Sequence, residues 1–168
     1  MTAEEFANAI DRMVQAIPSE IPDALMGCVP IVRAGVAENF ARQGAPSMAW
    51  PQRKDIGDGH PLLDATGKLK AAATTDSEGS VARVVDGNEL QVGVEAANEG
   101  SLAGALVHQY GATIRPVRKK FLSWIDSQGR RVFARQVTIP PRPYMEISEE
   151  VADECCAHIA GHFAETIL

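Results

Sequence analysis

The run GALVHQYGATIRPVRKKFLSWIDSQGRRVFARQVTIPPRPY, residues 104–144, joins a short apolar helix, a His-Gln-Tyr-Gly turn, a basic hairpin and a proline-locked exit. Residues 121–125 and 131–139 carry the β-formers, and Asp126-Ser127-Gln128-Gly129 between them supplies Gly where a positive φ is wanted. Phe121 and Ile125 fall on one side of the strand, which is expected to face inward. Pro140-Pro141-Arg142-Pro143 cannot donate ladder hydrogen bonds, so the chain must leave the sheet there.

The same run is strongly basic. Arg115, Arg118, Lys119, Lys120, Arg130, Arg131, Arg135 and Arg142 face only Asp126, a net of +7 in a chain whose total is −6, which leaves −13 elsewhere. Such a field can bind a polyanion, steer an anionic ligand or dock on an acidic surface. The chain carries an acidic surface of its own: Glu149, Glu150, Asp153, Glu154 and Glu165 follow Ser148 without one Lys or Arg among them. One copy can therefore lay its basic hairpin on the acidic helix of the next. A contact between two different patches propagates head to tail and closes into a ring where the rotation permits. Two solvated faces of one monomer would account for the same charges.

Upstream, residues 81–85 and 90–94 flank Asp86-Gly87-Asn88, a strong hairpin signal, and residues 102–108 read as a short Ala/Leu helix ending near Gly111. Downstream, Ser148 is placed to cap a last helix whose first-turn Glu149 and Glu150 suit the positive end of its dipole. Its expected buried stripe is Val151, Cys155, Ile159, Phe163 and Ile167. At the other end, Thr2 and Glu5 have capping-box spacing, and Phe6, Ile10, Met13 and Ile17 recur at helical intervals. That helix is expected to stop at Ile17-Pro18. A second is predicted from Pro22 to about Arg42 on Leu25, Val29, Val32, Val36 and Phe40, kinked or broken at Pro30.

Residues 43–61, rich in Gly, Pro and polar side chains, read as a long loop anchored by Trp50, a lone Trp of the kind that inserts into a groove. Leu62, Leu63 and Leu69 around Thr66-Gly67 predict a brief helical turn. The order predicts an α+β fold: a small antiparallel sheet of two hairpins with the N- and C-terminal helices packed on one face. The expected plan is a single domain, 1–168, with an N-terminal helix over 1–17 and a basic hairpin extension over 115–142.

Composition sets the frame. Hydrophobic content of 45% and charged content of 23% argue against wholesale disorder, and aromatic content of 5% implies a core mainly of Ala, Val, Ile and Leu. Cys28, Cys155 and Cys156 are odd in number with two adjacent, which reads as reduced thiols and not as a disulfide framework. Acids follow Met1 where a secretory signal would carry cations, and no apolar run approaches the roughly 20 residues that span a bilayer. The expected location is a cytoplasm or a particle assembled there, with no membrane contact.

Three chemical readings compete with a binding surface. Cys155, His158 and His162 share one helix face, as zinc ligands would, yet Cys155 already fits the apolar stripe and no second ligand pair has metal-site spacing. His108 with Tyr110 resembles an acid/base pair but has no nucleophile motif beside it, so a structural role is expected, a ring nitrogen satisfying backbone near Gly111. Arg115, Arg118, Lys119 and Lys120 beside Phe121 and Trp124 could grip phosphates and stack a base, against which stands the acidic total. No catalytic residue, metal or cofactor is expected.

Several strings together resemble the phage virion morphogenesis family, the tail-completion proteins of Mu-like and P2-like phages. They are Asn39-Phe40 with Gln43, Trp50-Pro51, Leu63-Asp64-Ala65-Thr66-Gly67-Lys68-Leu69, Val107-His108-Gln109-Tyr110-Gly111 and Ile139-Pro140-Pro141-Arg142-Pro143-Tyr144. The resemblance covers about residues 22–167, with an insert at 95–101 and the N-terminal helix outside it. It implies a non-enzymatic structural protein at the head-proximal end of the tail, working as a ring that commonly has six subunits. Its partners would be itself and the adjoining neck, connector and tail-tube proteins. DNA would cross the channel without being specifically held. On this reading Arg115, Arg118, Lys119, Lys120, Arg130, Arg131 and Arg142 are expected to meet Glu149, Glu150, Asp153 and Glu154 of a neighbouring copy or an acidic face of the adjoining connector, with Trp50 as a further contact.

Overall fold

A computed structural model describes residues 3–53, 59–95, 104–126 and 128–167. Five helices and six strands follow in the order α1 (Ala3–Gly27), α2 (Val29–Arg42), α3 (Lys68–Thr74), β1 (Ser80–Val85), β2 (Glu89–Val94), α4 (Ala105–Tyr110), β3 (Ala112–Ile114), β4 (Leu122–Ile125), β5 (Arg131–Ala134), β6 (Val137–Ile139) and α5 (Glu149–Ile167). The class is α+β. The strands pair as three separate antiparallel ladders, β1–β2, β3–β6 and β4–β5.

The N-terminal helix does not stop at Ile17-Pro18. It continues to Gly27 through both Pro18 and Pro22. The prolines lie four residues apart on the side where Pro18 is exposed and Pro22 half-buried, so carbonyls left without a donor there can reach water. The opposite side, with Met13, Ala16 and Glu20 half-buried and Ala24 buried, is the better covered one, and α5 packs along this helix. Tertiary packing thus outweighs the local penalty. The approach is close: a Cβ on Gly27 would collide with the imidazole of His158. The second helix begins at Val29 and not at Pro22, and the expected break falls at Cys28, with Pro30 in the first turn where its missing donor costs nothing. The Thr2 cap lies outside the described residues, as do the side chains of Phe6 and Ile167.

Helix α2 closes on Gln43 in the left-handed region, φ 55°, and the chain turns back at once. Trp50 N donates to Gln43 O at 3.0 Å, and Ala45 N to Met48 O at 2.8 Å. This return delivers Trp50, 2% exposed, edge-on against Phe40 with ring centroids 5.6 Å apart. The described part of the 43–61 segment is therefore a packed turn; residues 54–58 lie outside the described residues. Beyond it, the brief helical turn expected near Leu69 is a full helix, α3, whose Ala72 and Ala73 are buried. The core gathers Val36, Phe40, Trp50, Leu62, Ala73, Ala105 and Tyr144. The first hairpin is as expected, Val81 opposite Gly93 and Val85 opposite Glu89, and α1 and α3 pack on it.

The basic stretch folds as a two-tier ribbon. Its base is β3–β6, Ala112 opposite Ile139, and its tip is β4–β5, Leu122 opposite Ala134. The expected second strand, 131–139, is thus cut at Arg135-Gln136, and β3 is an element that the β-former count did not single out. The expected inward side is also corrected: Phe121 is 38% and Ile125 63% exposed, and among the described residues no helix packs extensively beneath the tip. Of the insert at 95–101, Glu95 donates from its backbone N to Gly79 O at 2.8 Å, and residues 96–101 and Leu102 lie outside the described residues.

Candidate functional site

The strings scattered along the sequence converge on one polar clasp around Phe40. Asn39, fully buried on α2, donates from Nδ2 to Tyr144 O at 3.1 Å and to Glu146 O at 2.7 Å. Its Oδ1 accepts from Arg42 Nη2 at 2.6 Å. Gln109 on α4 accepts at Oε1 from Tyr144 N and Met145 N, 3.0 and 3.2 Å. Gln43 Oε1 accepts from Leu62 N. Tyr144 packs on Phe40 at 5.9 Å between centroids, and burial, with a smaller effect from Tyr110, pushes its phenol up to about 12. Gly111 lets the exit strand close: its φ is 74°, and a Cβ there would meet Pro141 N at 2.8 Å.

Arg142 belongs to this clasp and not to the exposed charge. It is 6% exposed, donates from Nε to Pro51 O at 2.9 Å and from its backbone N to His108 O at 2.7 Å. Burial and then nearby Arg53 lower its pKa. Trp50 is likewise inside, so neither residue offers a free surface to a partner. At the turn before Gly111, the backbone carbonyl of His108 does the bonding expected of its ring. The ring Nδ1 is buried without a hydrogen-bond partner among the described residues, and burial and then Arg142 depress its pKa. Tyr110 is 74% exposed, so the two side chains share no acid/base site. The ring instead borders a small cavity of about 150 Å³ walled by Leu63, Thr66 and Leu69.

The remaining predicted cations are on the surface. Arg115, Arg118, Lys119, Lys120, Arg130, Arg131 and Arg135 are all exposed. Lys120 Nζ stands 5.7 Å from the Phe121 ring centre. Among the described residues, Arg130 is the one cation of the ribbon with an acid partner, its Nε 2.9 Å from Asp126 Oδ2. Asp126 Oδ1 also accepts Arg130 N at 2.8 Å and Gln128 N at 3.0 Å. The Arg130 backbone bond leads in holding that carboxyl below its ordinary range.

On α5 the four acids Glu149, Glu150, Asp153 and Glu154 are exposed over the first two turns. Ser148 Oγ accepts Val151 N at 3.4 Å, and a side-chain bond to Ser148 is the first cause of a lowered Glu150 pKa. The opposite side of α5 faces α1. Cys28 Sγ reaches Cys155 O at 3.7 Å, and His162 Nε2 lies 3.2 Å from Glu20 Oε2. Burial first, then Cys28, raises the Cys155 thiol to about 11. All three cysteines are free. Cys155, His158 and His162 thus serve the helix packing, and among the described residues no group of three or more His, Cys, Asp or Glu is placed to hold a metal. Among those residues no helix is long and apolar enough to cross a membrane.

Residues 5–164 match the phage virion morphogenesis family, a span that takes in the N-terminal helix left out of the residue-by-residue resemblance. No curated protein and no solved structure matches the chain.

Proposed function

We propose, from the premise that this chain belongs to the phage virion morphogenesis family, that it is a tail-completion protein which joins tail to head. It works as a ring of identical copies at the head-proximal end of the tail, assembled in the bacterial host cytoplasm. Its neighbours are the connector and neck proteins on one side and the tail tube on the other. The role is architectural, and no catalysis is invoked.

The observation that carries this reading is the pair of opposite charge fields. The ribbon exposes Arg115, Arg118, Lys119, Lys120, Arg131 and Arg135, and α5 exposes Glu149, Glu150, Asp153 and Glu154, yet among the described residues ribbon tip and helix share no extensive contact. Two complementary patches on different sides of one molecule suit head-to-tail contact between copies. The negative total, −6, suits a lumen that lets DNA pass. Loss of the gene is expected to leave full heads and finished but unjoined tails in lysates, and light scattering of the purified chain is expected to give a higher oligomer. Normal virions without the protein would refute the assignment. Exposed ion pairs are screened over about 8 to 10 Å at ordinary ionic strength. Assembly should therefore weaken with salt and with Arg130 and Arg131 both changed to Glu.

A second reading draws on Lys120 over Phe121 and on Trp124, 42% exposed, among unpaired cations. Such a surface can track a phosphate backbone and stack bases. Retention on DNA that falls steeply across a salt series would favour it over subunit docking.

A further inference from the structure

The β4–β5 tip is short of cover. Among the described residues no helix packs extensively on it, and a two-stranded hairpin alone is marginal in water. Directly paired residues share a face. One face carries Leu122 with Ala134 and Trp124 with Val132, of which only Trp124 is exposed. The other carries Ser123 with Phe133 and Ile125 with Arg131, and all four are exposed, Phe133 at 62% and Ile125 at 63%. Large apolar side chains grouped on an open sheet face mark a contact surface.

The edges of the tip tell which way a partner arrives. Lys119 and Lys120 lead into β4, and Arg135 follows β5. Cations flanking so short a pair of strands oppose addition of another strand. The face is therefore the route of approach, and its occupant must accept two bulky apolar groups next to Arg131 and Arg130.

We propose that this face, Phe133 and Ile125 at its centre and Arg131 at its rim, seats on the outer side of α5 of a second copy. The inference rests on the self-assembly reading above and specifies its contact. Charge complementarity selects the occupant: the exposed Glu149, Glu150, Asp153 and Glu154 face outward where α5 begins. Beyond them the outer side continues with Cys156, Ala157, Ala160, Gly161 and Ala164, all exposed and all small, so nothing holds off Phe133 and Ile125. In such an interface the desolvated apolar anchors set affinity, while rim charges set encounter rate and register.

The test uses the native exposed Cys156. The full-length Ser123→Cys variant, oxidised by oxygen with copper-phenanthroline so that two thiols lose two electrons and two protons to form one disulfide, is expected to give a ladder of covalent multimers. The ladder should vanish with Cys156→Ser and return with Ala157→Cys or Ala160→Cys in that background, since a disulfide needs Cα atoms within about 7 Å. Phe133→Ser should raise the concentration for half-assembly roughly 30-fold at any salt. Arg131→Glu should weaken assembly only at low salt. An oligomer that gives no ladder from these positions, or that cross-links Ser123→Cys to Val14→Cys on the half-exposed apolar side of α1, overturns the pairing while leaving self-assembly intact. Single copies within finished particles would overturn both.

Discussion

Arg142 and Arg131 lie eleven positions apart in one basic run and have opposite fates. Arg142 is 6% exposed and bonded to Pro51 O, locked into a clasp with Asn39, Gln109 and Tyr144. Arg131 is exposed on the ribbon tip without an acid partner among the described residues. The difference teaches that the strings carrying the family resemblance and the charges suggesting a partner serve separate ends. The first build an interior; the second decorate an excursion from it. A substitution in the clasp should therefore show in stability, and one at the tip in association.

The largest effect is expected at Trp50. Trp50→Ala removes a side chain that is 2% exposed and stacked edge-on with Phe40, and should cost about 3 to 5 kcal/mol in urea unfolding. Phe133→Ser, at an aromatic side chain 62% exposed, should cost no more than about 0.5 kcal/mol in the unassembled chain. Equal losses at the two sites would break the comparison, since they would mean that the tip is covered within the monomer.

A polar probe of the clasp ranks next. Asn39→Ala deletes the donor to Tyr144 O and Glu146 O and the acceptor of Arg42 Nη2, leaving buried groups unpaired at about 1 to 3 kcal/mol. Asn39→Asp should be no milder, because its second oxygen cannot donate to either carbonyl. If Asn39→Asp unfolds at the wild-type urea midpoint, the amide does not hold the exit segment.

Much of this division was readable in the sequence. The hairpin at Asp86-Gly87-Asn88, the Ser148 start of α5, the charge split and the break near Pro30 follow from local chemistry, where one or two residues dictate a turn or a cap. The continuation of α1 through Pro18 was not readable, because it depends on packing against α5, a helix at the far end of the sequence. The same limit hid β3. Ala112–Ile114 is too short to signal a strand and acquires its state from β6 across the ribbon. At the candidate site, the exposure of the cations was legible except at Arg142, whose partners Pro51 and His108 come from distant loops. The open face of Ile125 and Phe133 was missed because alternation gives the period of a strand without saying which side has a core beneath it.

The smallest expected effect sharpens the account of the tip itself. Asp126 closes the β4–β5 turn by accepting Arg130 N, Gln128 N and Arg130 Nε, and the first of these bonds leads in lowering its pKa. A carboxyl whose folded pKa lies below its unfolded value contributes its full stabilisation above the unfolded value, near 3.8, and loses it only as pH falls through the lower folded one. The Gln128 and Arg130 amide resonances should therefore hold their positions as pH is lowered to 3.8 and move together only below it. Asp126→Asn keeps one acceptor oxygen but removes the charge, and should abolish that low-pH transition while leaving global unfolding unchanged. A transition above 3.8, or one that carries the Asn39 and Tyr144 signals with it, would mean that the tip is coupled to the clasp, and the two regions would then respond as one.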